Sequence, residues 1–373
     1  MIKFIDLKRQ YQLHQEAIDA RIKNVLEHSQ YISGPEVSEL EQTLAEFVGV
    51  KHCIALDNGT VALQVALLAA GVQQGDEVIT SPFSFFASVS TILQLGATPV
   101  FVDINPQTYN LDVTKIEQAI TSRTKAILPI SLFGQCPDFD PIIDLAKKYN
   151  LVVIEDAAQS FGAKYKDRNS CSITDIACTS FFPSKPLGCY GDGGACFTNN
   201  DEIADHIRSV INHGQQGRYH HVLLGINGRC DTIQAAILLA KMELFPKEIE
   251  LRKEVASFYN QQLAGKVKIP YTEPYNQNVY AQYTIRLNQR DLIQGELNSK
   301  GIPTAVHYPL PLYRQPVVVN YLKCQEINLP HVELAAKQVL SLPFDPYMTL
   351  EKVDLVCTAL LKVMDSVEIV SNQ

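Results

Sequence analysis

The chain has 373 residues, of which 46% are hydrophobic and 19% are charged. This composition is typical of a globular protein and excludes a largely disordered chain. The 32 basic and 40 acidic side chains leave a net charge of −8, which gives no indication of a nucleic-acid-binding protein but leaves an anionic small-molecule ligand open.

Two helices are predicted first, over residues 12–28 and 35–48, the second opened by a Gly34–Pro35 turn. Short apolar runs then alternate with helical segments. The runs predicted as strands are HCIAL, DEVIT, TPVFVDI, TKAILPI and LVVIED, and the predicted helices are 60–71, 84–95, 112–120 and 138–149. Apolar strands separated by helices are typical of a mainly parallel sheet covered on both faces, so the predicted fold class is α/β.

The pattern changes near residue 245, where a charged helix over 246–263 leads into the alternating strand VYAQYTIRL. Because the chain exceeds the usual size of one core, we expect a large domain, 1–245, and a smaller one, 246–373. The loop 212–229 is too long and too polar for a simple connector, so we expect it to be functional.

The nine cysteines are scattered and show no CxxC or Cys/His spacing of a metal site. They are expected to be buried thiols of a reducing compartment. The N-terminal stretch has no apolar core of signal-peptide length, and no later stretch reaches the roughly 18 apolar residues of a membrane span. The sequence therefore predicts a cytoplasmic protein without a metal site.

One lysine stands out in the stretch SFFPSKPLGCYGDGG, residues 180–194. A lysine is usually a solvated surface charge, because burying its ammonium group is expensive. Here, however, Lys185 follows the apolar end of a predicted strand, lies between two prolines, and precedes four glycines that permit close backbone approach. Both a surface lysine and a functional lysine stay open on these residues alone.

Polar residues follow two of the predicted strands, where parallel sheets bind their ligands. Asn58, Gly59 and Thr60 open a helix, either as an ordinary N-cap or as an anion site formed by free amides. Asp156 ends the strand LVVIED, either as a helix cap or as the partner of a protonated ring nitrogen.

Segments along most of the chain carry a family resemblance: FIDLKRQY, ISGPEV, NGTVAL, GDEVI, FVDI, IEDAAQSFGAKY, SFFPSKPLG, GDGGACFTN, HGQQGRYHH, GINGRCDTIQAAIL and GIPTAVHYPLPLY. In this order they resemble the DegT/DnrJ/EryC1/StrS sugar aminotransferases, which are fold-type I pyridoxal-phosphate enzymes. The resemblance implies a mainly parallel seven-stranded sheet flanked by helices, with a smaller α+β C-terminal domain. It also implies pyridoxal 5′-phosphate as the cofactor and a homodimer with shared active sites.

The resemblance implies that four residues bind or contact the cofactor ring. It implies that Lys185 forms the Schiff base, that Asp156 binds the pyridinium nitrogen, that Gln159 lies near the ring hydroxyl, and that Phe85 stacks on the ring. Without the resemblance, a core phenylalanine on a helix is the favoured interpretation of Phe85. A lysine suits the first role because desolvation lowers the pKa of an amine, which then moves protons; an arginine stays charged.

The phosphate is assigned by the same resemblance to Gly59, Thr60 and Ser180, with Asn227 reaching it from the neighbouring subunit. The substrate is assigned to four further residues: Arg229, His307, Tyr308 and His213. Arg229 and the two histidines are each open to an ordinary surface or structural role. So is the cluster Arg218, Tyr219 and His220, for which the functional alternative is contact with a diphosphate.

The function implied is amino transfer from L-glutamate to a keto group of a nucleotide sugar. Within the family, the chain resembles most the members that aminate UDP-2-acetamido-2-deoxy-3-oxo-glucuronate for surface polysaccharides such as lipopolysaccharide O-antigen. A C4 aminotransferase acting on a 4-keto sugar and a cofactor-binding regulator without turnover are the alternatives. A dehydratase of this fold has histidine in place of Lys185, and an oxidoreductase is disfavoured because no GxGxxG follows the first strand.

Overall fold

The computed structural model of the protein describes residues 2–323 and 327–371. In these ranges the helices are α1 (Leu7–His28), α2 (Pro35–Val48), α3 (Gly59–Ala69), α4 (Ala87–Gln94), α5 (Phe139–Tyr149), α6 (Asp201–Val210), α7 (Thr232–Met242), α8 (Phe245–Leu263), α9 (Arg290–Ser299), α10 (Pro316–Leu322), α11 (Pro330–Gln338) and α12 (Leu350–Ser371). The strands are β1 (His52–Leu56), β2 (Glu77–Thr80), β3 (Thr98–Phe101), β4 (Thr124–Leu128), β5 (Val152–Asp156), β6 (Lys164–Tyr165), β7 (Arg168–Asn169), β8 (Ile176–Ser180), β9 (Gly194–Thr198), β10 (Asn276–Gln277), β11 (Tyr283–Arg286) and β12 (Val339–Leu342).

A seven-stranded sheet runs in the order β1-β9-β8-β5-β4-β2-β3. Its strands are parallel except for β9, which pairs antiparallel with both β1 and β8. The mainly parallel seven-stranded sheet implied by the family resemblance is therefore confirmed. Since β1, β5 and β8 point the same way, their carboxyl ends lie at one edge of the sheet, where β9 begins.

Alternate residues of the sheet strands, including the edge strand β1, face two different cores, which explains the continuous apolar runs in the sequence. In β1, Ile54 and Leu56 pack with residues of α3 and α6, whereas Cys53 and Ala55 pack with residues of α2 and α7. The sheet is thus covered by helices on both faces, and the edge formed by the strand ends is left for a ligand.

The helix predicted over 112–120 is wrong, because the chain forms two short 3-10 turns there, Val113–Lys115 and Glu117–Ala119. The Asp112 carboxylate accepts hydrogen bonds from the backbone N–H of Thr114 at 3.1 Å and from its hydroxyl at 2.6 Å. Such local side-chain bonds compete with a regular helix.

Two other boundaries differ from the sequence prediction. Helix α1 begins at Leu7 rather than at residue 12, because Asp6 caps it by accepting the N–H of Arg9 at 3.1 Å. The strand predicted at VYAQYTIRL is shorter in the structure and consists only of β11. The backbone N–H groups of Val279 and Ala281 donate instead to backbone oxygens of the loop that follows β4.

A two-stranded antiparallel sheet of β11 and β12 belongs to a second core, formed by residues such as Tyr259, Tyr283, Leu340 and Val356. Helix α8 joins the two regions, since Phe245 at its start packs in the core beside α2. The division of the chain into 1–245 and 246–373 stays a proposal.

Eight cysteines in the described ranges are buried and free, and Cys324 lies outside those ranges. Burial raises the pKa of seven of the thiols, namely Cys53, Cys136, Cys171, Cys178, Cys189, Cys230 and Cys357. Among the described residues, no helix has both the length and the hydropathy of a membrane span.

Candidate active site

The first wall of the site is the start of α3, directly after β1. Asn58 caps this helix by accepting the N–H of Val61 at 2.8 Å. Within the described residues, the backbone N–H groups of Gly59 and Thr60 have no acceptor. Asn58 is therefore the N-cap, and two free N–H donors remain at the helix N-terminus, so the anion site stays a prediction.

Close packing of backbone holds this helix start against β8 and β9. A Cβ atom added to Gly59 would lie 2.7 Å from Ser180 Cβ, and one added to Gly194 would lie 2.6 Å from the carbonyl carbon of Asn58. The Ser180 hydroxyl oxygen accepts the N–H of Phe182 at 3.2 Å, so its proton is free to donate. Gly59, Thr60 and Ser180 thus present donors to one small cradle.

Asp156, the last residue of β5, is a buried carboxylate with 5% exposure. Its Oδ1 accepts the N–H of Ala158 at 3.1 Å and its Oδ2 accepts the Ser88 hydroxyl at 3.1 Å. Burial raises the pKa of Asp156, and both hydrogen bonds and the charge of Lys185 oppose that shift. In this environment the ionised form is stabilised by a nearby positive charge.

Lys185 lies in the turn after β8, where its backbone N–H donates to Phe182 O at 2.8 Å. Burial lowers the pKa of the Lys185 amine, and the carboxylate of Asp156 partly opposes this shift. An amine and a carboxylate whose pKa values move toward each other in one poorly solvated site are typical of acid-base chemistry. Lys185 is half-buried rather than fully solvated, and its role as a functional lysine stays a prediction.

Residues from the C-terminal part of the chain complete this side of the site. Gln159 Oε1 accepts the backbone N–H of Phe133 at 2.7 Å, and its Nε2 donates to the Tyr308 hydroxyl at 3.1 Å. Burial, and next the charge of Asp156, raise the pKa of Tyr308, which keeps the phenol protonated. Gln159 and Tyr308 therefore form one wall.

His307 lies beside this wall, with its Nδ1 2.8 Å from the Ser341 hydroxyl. Burial, followed by the positive charge of Lys185, lowers the pKa of His307 to about 4. The imidazole is therefore neutral at neutral pH, so it offers a polar contact and no charge.

Phe85 precedes α4 and is 60% exposed, so the interpretation as a core phenylalanine is wrong. The Ser88 hydroxyl lies 3.1 Å from both Phe85 O and Asp156 Oδ2, which ties the Phe85 backbone to the buried carboxylate. The ring itself is exposed, and an exposed aromatic ring is available to cover a flat ligand. Ser88 was missed from the sequence, although it lies in the same SPFSFFAS stretch.

The remaining candidates lie along the outer edge of β1. Arg229 pairs through its backbone with Leu56, and its Nη1 donates to Asn212 Oδ1 at 2.8 Å. Asn227 and His213 are exposed. In the described part of the chain, no hydrogen bond or ion pair joins these residues to Lys185.

The cluster of Arg218, Tyr219 and His220 is also exposed, with the Arg218 guanidinium 5.2 Å from the centre of the Tyr219 ring. Its suggested contact with a diphosphate stays a prediction.

Comparisons with known proteins match nearly the whole chain. The family model described as the DegT/DnrJ/EryC1/StrS aminotransferase family matches residues 12–361. The chain is 55% identical to a UDP-2-acetamido-2-deoxy-3-oxo-D-glucuronate aminotransferase of Pseudomonas aeruginosa, over 96% of this chain and 99% of the relative. It is 43% identical to a pleiotropic regulatory protein of Geobacillus stearothermophilus, over 94% of this chain and 95% of the relative.

A solved structure has the same fold and carries a cofactor. The crystal structure of a Bacillus subtilis protein with bound cofactor PMP has a TM-score of 0.89 and 35% identity, covering 94% of this chain and 82% of that one. The family resemblance and the fold class predicted from the sequence are confirmed.

Proposed function

The chain belongs to the DegT/DnrJ/EryC1/StrS aminotransferase family, and we propose that it uses pyridoxal phosphate to move an amino group from L-glutamate to the 3-keto group of UDP-2-acetamido-2-deoxy-3-oxo-glucuronate. The observation that carries the cofactor and the reaction is that the charges of Lys185 and the buried Asp156 act on each other, together with the close packing of Gly59 against Ser180. The choice of sugar rests on the 55% identity to the P. aeruginosa enzyme. The product would enter the synthesis of a surface polysaccharide.

The residues present fit pyridoxal phosphate. The free amides of Gly59 and Thr60 with the Ser180 hydroxyl suit a phosphate, and the buried carboxylate of Asp156 suits a protonated ring nitrogen. PMP is the amine form of the same cofactor, and its presence in the B. subtilis protein supports the assignment. When bound, the cofactor supplies the electron sink that lets an amino group leave one substrate and join another.

Lys185 would hold the cofactor through its Nζ atom until the amine of the donor takes its place. The released Lys185 amine would then act as the acid-base group that takes the proton from the reacting carbon of the donor and gives it back later in the transfer. This requires an amine that loses its proton readily, which agrees with the lowered pKa of Lys185. Phe85 would cover one face of the ring and exclude water, and Gln159 would lie near the ring hydroxyl.

The substrate pocket combines neutral and charged groups. His307 stays neutral and Tyr308 stays protonated, so both offer hydrogen bonds to the sugar. Arg229, with His213 nearby, reaches the site of a second subunit. A guanidinium fork matches the sugar carboxylate bidentately.

The residues along the outer edge of β1 support a homodimer. Asn227 and Arg229 lie there without contact to Lys185 of the same chain, so they are available to the phosphate and the substrate of the neighbouring subunit. Leu224 in the same loop is 96% exposed, and Ile32, which pairs with Asp231, is 53% exposed. Exposed apolar residues next to functional ones are typical of a surface that another chain covers.

Replacing Gly59 with alanine tests the phosphate cradle. Because the new Cβ would lie 2.7 Å from Ser180 Cβ, α3 must move away from β8. We expect the affinity for pyridoxal phosphate, measured by a fluorescence titration, to fall by about tenfold or more. The control is Gly295→Ala in α9, whose Cβ meets nothing within 4 Å; equal cofactor affinity in both variants would contradict the cradle.

Substrate identity is tested with L-glutamate labelled with heavy nitrogen and a panel of keto sugars, with the label in the sugar followed by mass spectrometry. UDP-2-acetamido-2-deoxy-3-oxo-glucuronate is expected to be the best acceptor. In Arg229→Gln, kcat/KM for this acid is expected to fall by about tenfold to a hundredfold, the worth of a charge-assisted hydrogen bond, with little change for the analogue lacking the carboxylate. Faster transfer to a 4-keto sugar would instead establish the C4 alternative.

A regulator that binds the cofactor without turnover is the second candidate, favoured by the name of the G. stearothermophilus relative. A ligand sensor needs no amine with a lowered pKa, so Lys185 argues against it. Cofactor binding without consumption of any amino donor would establish this candidate.

A further inference from the structure

Lys241 of α7 is a buried lysine with 2% exposure that none of the proposed chemistry uses. In the described part of the chain it forms no ion pair with a carboxylate. Burial lowers the pKa of this amine to about 8, although the more distant charge of Glu248 opposes the shift. A buried ammonium group without a paired carboxylate is destabilising, so its contacts deserve a functional explanation.

Lys241 contacts the segment that follows Lys185. Its Nζ donates a hydrogen bond to the backbone oxygen of Gly188. The same atom lies 4.8 Å from the centre of the Tyr190 ring, within range of a cation–π interaction. Both contacts are therefore made to residues within five positions of Lys185.

Gln234 contacts the same segment from the same face of α7, two helical turns before Lys241. Its Oε1 accepts the backbone N–H of Tyr190 at 3.0 Å. A Cβ added to Gly191 would lie 2.9 Å from Gln234 Nε2, so the segment and the helix are in close contact. One helix face thus holds the backbone of residues 188–191 at two points.

The held segment closes the loop that carries Lys185. Cys189 N donates to Phe181 O at 2.8 Å, and Phe181 N donates to Gly193 O at 2.7 Å. A Cβ on Gly188 would lie 2.6 Å from Phe182 O, so the two ends of the loop are packed together. Movement at Gly188 is therefore transmitted to the turn that contains Lys185.

Helix α7 is itself well anchored. Its first residue, Thr232, accepts the N–H of Gly34 through its hydroxyl at 3.0 Å, and the helix packs in the core beside α2. A rigid helix can fix a loop only where side chains reach the loop backbone, and in α7 these are Gln234 and Lys241.

We propose that Gln234 and Lys241 are positioning residues that fix the loop 181–193 so that the Lys185 amine stays beside Asp156. This inference rests on the proposed function for the role of Lys185. The two side chains act through the loop backbone and do not take part in the reaction.

The first test is amide hydrogen exchange in the cofactor-free protein, which is independent of turnover. In Lys241→Met, exchange of amides 185–191 is expected to accelerate by about tenfold or more, since a hydrogen bond from a charged group is lost, while amides of α3 are unchanged. Lys241→Arg restores a donor and is expected to recover protection. Lys247→Met, an exposed lysine on α8, is the matched control and is expected to leave exchange unchanged.

A second readout separates positioning from general stability. Because methionine removes a buried charge, the thermal midpoint of Lys241→Met is expected to stay within a few degrees of the wild type. In the loaded enzyme kcat is expected to fall by about tenfold, with KM for L-glutamate changed less than about threefold. Gln234→Leu is expected to act in the same direction, and less than additively with Lys241→Met.

Unchanged exchange at 185–191, or acceleration spread evenly over the large domain with a lowered thermal midpoint, would overturn the inference. Failure of the proposed function would give a different experimental result. In that case the wild type transfers no amino group, whereas the exchange of amides 185–191 still responds to Lys241→Met and recovers in Lys241→Arg.

Discussion

Lys185→Ala is expected to abolish amino transfer, with kcat/KM reduced by about 10⁴-fold or more, because both the cofactor attachment and the proton carrier are lost. Lys185→Arg is expected to be equally inactive, since the guanidinium group stays charged and cannot move the proton. The absorption band of lysine-bound pyridoxal phosphate is expected in the wild type and absent in both variants. Thermal unfolding of the cofactor-free proteins checks that the fold is retained.

The matched control is Lys300→Arg, an exposed lysine of the C-terminal region that is expected to keep full activity. Borohydride reduction of the loaded wild type, followed by peptide mapping, is expected to place the reduced cofactor on Lys185. Lys241 is the informative competitor, because its pKa is lowered too, to about 8. Label on Lys241, or turnover of Lys185→Ala within about tenfold of the wild type, would contradict the assignment.

Asp156→Asn is expected to lower kcat/KM by about 10²-fold to 10³-fold, because a neutral amide cannot hold the ring nitrogen protonated. The change is nearly isosteric, and an amide oxygen still accepts the N–H of Ala158 or the Ser88 hydroxyl. The loss is therefore expected in kcat more than in the thermal midpoint. Steady-state kinetics with L-glutamate and the keto sugar measure it.

Asp156→Asn is also expected to change the pH dependence of Lys185 labelling in the cofactor-free protein. The Asp156 carboxylate raises the pKa of Lys185, so removing its charge lowers that pKa further. Labelling of Lys185 by an amine-selective reagent needs the neutral amine and is therefore expected to begin at lower pH in Asp156→Asn. A curve shifted to higher pH, or an unshifted one, would contradict the electrostatic pairing.

Glu155→Gln is the matched control for Asp156→Asn. Glu155 accepts hydrogen bonds from Ser131 and Ser170 at 2.7 Å and from Cys171 N at 2.8 Å, away from Lys185. This variant is expected to lower the thermal midpoint without moving the labelling curve of Lys185.

The helices and strands that the sequence predicted correctly are bounded by signals in neighbouring residues. Helix α2 and strand β1 fall on their predicted residues, because turn residues or a change of period bound them. The helix predicted over 112–120 was wrong because the Asp112 side chain bonds the backbone N–H of Thr114 and favours a local turn. Gly59 and Lys185 could be proposed as site residues from the sequence because a close glycine approach and a lysine within an apolar run are visible in a short stretch.

The parts of the site that were missed depend on pairs far apart in the chain. Ser88 contacts Asp156 across 68 residues, and Lys241 contacts Gly188 across 53. Nothing in the local sequence around either residue indicates its partner. Arg229 and Asn227 were named only through the family resemblance, since their proposed partners belong to a second chain.

The most direct test of the central claim is a two-step spectroscopic cycle on one sample of the loaded protein. L-glutamate alone is expected to convert the absorption of lysine-bound pyridoxal phosphate to that of the amine form. Added UDP-2-acetamido-2-deoxy-3-oxo-glucuronate then restores the original spectrum, with one aminated sugar formed per site. A spectrum that ignores L-glutamate, or an amine form that no 3-keto nucleotide sugar discharges, would contradict the account.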